Sequence, residues 1–184
     1  MLISKSEYSV TEAALSKYET AHGFTFPQED RAFLLKANGG ETPETDFRLS
    51  GVSSDLVSFY ELRDDGDGLE LHEIELLVPA FLKDHMLPIA SNVFGDNIFI
   101  CVEGRENGKI FFRYHDRPKR YIKLADDFRT FIQKCKLGRC YTIEDRIAMR
   151  RSAGNFEPPS AIALSEWQKE IDYFNRIHQE QVEF

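Results

Sequence analysis

The sequence predicts an α+β fold: an antiparallel β-sheet meander flanked by N-terminal and C-terminal helices. Three observations carry that expectation. Two end-marked helical segments precede residue 40, short apolar runs broken by Gly- and Asn-rich turns fill the centre, and capped helical patterns return after residue 126. Helices gathered at the ends of a run of strands, rather than alternating with them, belong to this class.

The first helix has Ser9 as its expected N-cap and Glu12 three residues on, the spacing of a capping box. Val10, Ala13, Ala14, Tyr18 and Ala21 then line one face, and Gly23 suits the stop. Pro27 fits a first helical position, where its fixed φ is pre-set and its missing N–H is no loss. Glu29 and Asp30 complement the positive end of that second helix, and Phe33, Leu34 and Ala37 give its apolar stripe. Asn38-Gly39-Gly40 tolerates the positive φ that ends a helix.

Thr42 to Asp46 reads as a polar loop, Leu56 to Tyr60 as a strand, and Arg63 to Gly68 as an Asp- and Gly-rich turn. Leu69 to His85 is ambiguous because Pro79 either interrupts a helix or starts one. Asn97–Val102 and Lys109–Tyr114 flank a loop holding two glycines and an Asn-Gly, a β-hairpin pattern, and Tyr121–Leu124 suits a third strand. Asp126 or Asp127 then caps a helix bearing Phe128, Phe131, Ile132 and Cys135, for which Gly138 is a reasonable stop. Thr142 to Asp145 and Ser165 to Gln168 suggest two more helix starts, the second carrying Trp167, Ile171, Phe174 and His178 on one face. The division expected is a domain at 1–136 and a helical C-terminal extension at 137–184 packed back onto it.

The chain has a net charge of −8, distributed unevenly. Residues 41–103 hold fourteen acidic against three basic groups, a balance of −11, while residues 104–184 carry an excess of four positive charges. Such a field argues against direct nucleic-acid binding, which rests on phosphate neutralisation, and favours a basic protein partner. No basic region followed by an apolar stretch marks a secretory signal, and no apolar run is long enough for a membrane span. Three scattered cysteines (Cys101, Cys135, Cys140) suit reduced thiols, so a cytoplasmic location is expected.

Metal and catalytic patterns fail on spacing. The Asp64-Asp65-Gly66-Asp67-Gly68 loop lacks the closing Glu of a calcium loop in either register, and no C-x-x-C or H-x-x-x-H pair offers zinc ligands. His115 and Asp116 are neighbours on a strand end and therefore point to opposite faces. Neither catalytic residues, metal ligands nor a cofactor are expected. What remains is the acidic middle: Glu41, Glu44, Asp46, Asp55, Glu61, Asp64, Asp65, Asp67, Glu70, Glu73 and Glu75 beside aromatic residues such as Phe47, Phe59 and Tyr60. Carboxylates around aromatic anchors suit recognition of a cationic surface, charge giving on-rate and aromatics affinity.

The second helix and its flanks resemble the N-terminal signature of the SUKH superfamily: a glycine-ended helix, aromatic-Pro-acidic-acidic, then a helix closed by Asn-Gly-Gly. Leu87-Pro88-Ile89-Ala90 followed by Gly95-Asp96-Asn97-Ile98-Phe99-Ile100-Cys101, then Lys109 to Asp116, then Leu124 to Ile132, are similar to the family's later blocks, in order. On this resemblance Gly23, Pro27, Asn38, Gly39, Gly40, Gly95 and Asp96 are fold-specifying. The family includes yeast cell-wall regulators and bacterial immunity proteins, so the resemblance implies a non-enzymatic binding protein. The function it implies is immunity, holding a cognate toxin, often a nuclease, inactive inside the producing cell. Residues Glu41 to Glu73 above, with Tyr60, are the expected partner-binding face. An intracellular regulatory scaffold and a small ligand-binding domain are the alternative readings.

Overall fold

The computed structural model describes residues 1–64, 68–137, 142–176 and 180–182; for Glu44, Leu137, 174–176 and 180–181 it describes the backbone alone. It is α+β, and the chain divides into two compact units, Met1–Leu137 with Gln179–Phe184, and Gly138–His178.

The first unit is built on an antiparallel sheet. Its strands are β1 (Leu2–Lys5), β2 (Gly40–Leu49), β3 (Val52–Phe59), β6 (Met86–Ser91), β7 (Asn97–Cys101), β8 (Ile110–Arg113) and β9 (Ile122–Ala125), paired in that order, with β11 (Glu180–Gln181) outside β1. The short β10 (Lys136–Leu137) shares the outer edge of β2 with β1. A separate hairpin, β4 (Leu62–Asp64) and β5 (Leu69–Leu71), follows β3.

Both faces of the sheet centre are covered, which is why β6 and β7 read as continuous apolar runs. On one face Phe112 meets Phe47, which meets Phe131 of α4 (Phe128–Lys134); Phe33 of α2 (Gln28–Ala37) closes on Phe59 and Phe128. Side chains alternate along a strand, so Phe99 faces the other way, toward Phe81 of α3 (Val78–Leu82) and Tyr121. The Arg113 guanidinium lies over Phe81 and Phe99 there, covering apolar surface with its planar face.

Several boundaries differ from expectation. α1 (Glu12–His22) is capped by Thr11, whose hydroxyl accepts from the Ala14 N–H, so Ser9 lies outside the helix. Pro27 occupies the cap position with extended ψ, one residue before the first helical turn. Thr42 to Asp46 is not a loop but part of β2. The ladder to β3 is irregular between Glu41 and Thr45, where Pro43 cannot donate, and Thr45 Oγ1 instead donates to the Pro43 carbonyl at 3.0 Å. Leu69 to His85 resolves into β5, a 3₁₀ turn at Glu75–Leu77 and α3, with Pro79 in its first turn.

In the second unit, α5 (Ile143–Ser152) has the reciprocal capping box of Thr142 and Asp145. The last helix, α6 (Ala161–Arg176), starts earlier than expected, with Ser160 accepting from the Ala163 N–H, so Ser165 is interior. Arg146 pairs with Glu170 and lies over the Trp167 ring. Gly138, Cys140, His178 and the Phe174 side chain lie outside what is described.

Candidate functional site: an acidic groove at one end of the sheet

The register of β2 against β3 sets Asp46 directly opposite Asp55. Cross-strand partners share a face, and like charges there oppose pairing. Both carboxylates line a groove of about 370 Å³, with Ser53, Ser54, Asn92, Phe94, Asp96, Phe112 and Tyr114. On its other side, Asp46 has Lys136 of β10 as its register partner.

The far wall is the β6–β7 turn. Asn92 Oδ1 accepts from the N–H groups of Phe94 and Asp96, and Gly95 takes φ 79°, so the chain reverses within four residues. Asn92 Nδ2 donates to Ser54 Oγ at 2.9 Å and to Asp96 Oδ2 at 3.0 Å, and the Val93 N–H donates to Asp55 Oδ2 at 3.3 Å. A turn tied down this firmly nonetheless holds Val93 and Phe94 in solvent, 67% and 70% exposed.

Asp96 is buried and does more than end a turn. One of its oxygens accepts from the His115 backbone N–H at 2.8 Å and contacts that imidazole's Nδ1 at 2.7 Å. Burial alone would raise this carboxyl; the His115 and Asn92 hydrogen bonds outweigh it and hold the group below the usual carboxylate range. The stability it supplies is therefore present above the unfolded carboxylate pKa and is lost as pH falls through the lower folded value. Asp96→Asn is expected to cost about 1–3 kcal/mol at neutral pH, from loss of charge-assisted hydrogen bonds. Thermal unfolding of both proteins from pH 7 to pH 3 checks this: the gap should close on acidification, and a constant gap would refute the assignment.

The dyad is thus Asp96–His115, not the adjacent Asp116, and it leaves the imidazole more than half exposed. Among the described residues no hydrogen bond joins it to Ser53 or Ser54, and Ser54 Oγ donates to the Asp55 carbonyl. The arrangement presents negative charge and an apolar knob to solvent rather than an activated nucleophile.

The other expected contact residues fall elsewhere. Glu61 is internally engaged, accepting from Ser6 Oγ and Arg63, whose guanidinium lies over Tyr8. The half-buried Tyr60 donates its hydroxyl to Asn97 Oδ1 at 2.6 Å. Glu75 accepts from Tyr18 and the Leu71 N–H and faces His22, so it braces α1 against β5. Asp64 and Glu70 are exposed on the β4–β5 hairpin, Glu73 is exposed beside His72, and Glu41 is exposed on β2. Asp65, Asp67 and the Glu44 side chain lie outside the described residues. Among the described residues of the expected acidic face, then, only Asp46 and Asp55 line this groove. Phe94, Asn92 and Tyr114 are additions; two apolar residues inside the short turn Asn92–Asp96 were the available signal for Phe94.

Among the described residues no group of three or more His, Cys, Asp or Glu side chains is placed to hold a metal ion, and no helix is long and apolar enough to cross a membrane. A family model described as SMI1 / KNR4 family (SUKH-1) matches residues 9–134, a span that contains the whole groove. No curated protein and no solved structure matches the chain.

Proposed function

The chain belongs to the SMI1 / KNR4 family (SUKH-1), and from that premise we propose that it is an immunity protein that binds and neutralises a basic toxin of nuclease type. The observation that supports this reading most is the facing Asp46–Asp55 pair beside exposed Phe94. Two like charges are held opposite each other at a cost to the sheet, which a cationic partner would offset. A nuclease must present Lys or Arg to the phosphates of its substrate. Carboxylates docked on those cations compete with phosphate directly, while Phe94 and Val93 supply the apolar contact that slows dissociation.

The inhibition is steric and electrostatic, and it calls for no chemistry by this chain. No metal or cofactor enters it. The test is co-expression with the protein encoded in the adjacent reading frame. Cells making that protein alone should lose viability, and cells making both should grow and yield a stable complex on a sizing column. Continued killing in the presence of this chain, or separate elution of the two proteins, would reject the reading.

A further inference from the structure

Three consecutive residues in the first turn of α2 point three ways. Glu29 accepts from the backbone N–H and Nε of Arg129 on α4, and Arg31 pairs with Glu12 and Glu19 on α1. Between them, Asp30 turns inward and is 2% exposed. Its Oδ2 is buried without a hydrogen-bond partner, against a void of about 10 Å³. We propose that Asp30 is a protonation-controlled lock: its neutral carboxyl lets α2 seat on β3 and β6, and loss of the proton loosens that seat.

The surroundings supply nothing that would hold a carboxylate. The void is walled by Phe33 of α2, Phe59 and Tyr60 at the end of β3, and Leu87, Pro88 and Ile89 of β6. Phe26 before the helix, Leu34 of α2 and Leu71 of β5 complete the lining, so Tyr60 is its only other titratable side chain. The Tyr60 hydroxyl is committed to Asn97 and its N–H to the Ile89 carbonyl, while Pro88 has no N–H. The nearest cation in sequence, Arg31, is held on α1. A void this small admits one water at most, and an ordered buried water needs two to four polar partners, which this lining does not offer.

Burial is accordingly the dominant influence, and it pushes the Asp30 carboxyl up to about 7. The positive end of α2 favours the charged form, but that effect is smaller than removal of a carboxylate from water. A carboxyl raised in the folded state contributes stability that is complete below its unfolded pKa and is lost as pH rises through its folded one. The window runs from about pH 4 to about pH 7, so at neutral pH the lock is partly released. An apolar residue at this position would avoid that penalty, as substitutions of buried charged groups commonly do.

The experiment compares wild type with Asp30→Asn, a neutral side chain of the same shape, by urea unfolding from pH 5 to pH 8. The two proteins differ at residue 30 alone, so pH effects common to both cancel in the comparison. The folding constant of wild type relative to the variant is expected to fall roughly 50-fold between pH 5 and pH 7 and to level off above pH 8. Amides of α2 should exchange faster in wild type than in the variant at pH 8, and equally at pH 5. A pH-independent ratio, or equal exchange at both pH values, would overturn the proposal. Should Asp30→Asn fail to fold, carbon-13 NMR of the Asp30 carboxyl in wild type decides: a midpoint near 7 supports the lock, and one near 4 overturns it.

Discussion

Gly40→Val is expected to leave no folded protein. The helix–strand junction Asn38-Gly39-Gly40 runs through three consecutive positive φ values of 48°, 82° and 125°. At Gly40 a Cβ would collide with the Ser4 carbonyl oxygen and come within 2.9 Å of the Lys5 Cα, both backbone of β1. Neither can swing aside, because Lys5 is the ladder partner of Gly40. A β-branched residue adds strain at a φ that L side chains rarely adopt, of about 1–3 kcal/mol, before the clash is counted. Against a total stability of about 5–15 kcal/mol that combination is decisive. Soluble yield should collapse, with no cooperative urea transition in what is recovered. Gly51→Ala is the control: φ is 80° there but nothing lies within 4 Å, so about 1–2 kcal/mol is expected. A wild-type urea midpoint for Gly40→Val would refute this account of the junction.

That junction was legible from composition, because Asn and Gly are the residues that accept positive φ. Its second function was not. Asn38 also spans to β4, accepting from the Leu62 N–H and donating to the Leu62 and Tyr8 carbonyls, contacts made across 24 and 30 residues. The same limit explains β1, β10 and β11, short strands whose existence depends on distant partners. It also explains β2, where Thr42, Pro43 and Glu44 have loop composition yet lie beside β3. At the groove, Asp46 and Asp55 stood out by charge, but their opposition is a matter of register, and Asp96 joins them through a third strand connection. Asp30 read as a complement to the helix dipole; only the packing of α2 on the sheet shows it turned inward.

Asp55→Lys is expected to separate stability from binding. A lysine opposite Asp46 replaces a like-charge pair with an opposite-charge one, worth about 0.2–1 kcal/mol to the ladder. The 3.3 Å bond from the Val93 N–H to Asp55 Oδ2 is lost, a modest offset. Thermal stability should therefore hold or rise slightly. The complex with the adjacent-encoded toxin should weaken by roughly 100-fold, about 3 kcal/mol, because a cation now meets a cation. Most of the loss is expected in the association rate. A purely structural function for the groove predicts the reverse pattern, with no change in affinity.

The central claim is that this acidic groove is the surface that captures a basic toxin. Association kinetics of the purified pair, for wild type and Asp55→Lys across a salt series, test it most directly. The account predicts fast, strongly salt-dependent association for wild type, and slower, nearly salt-independent association for the variant. Identical rates and identical salt slopes for the two proteins would contradict it.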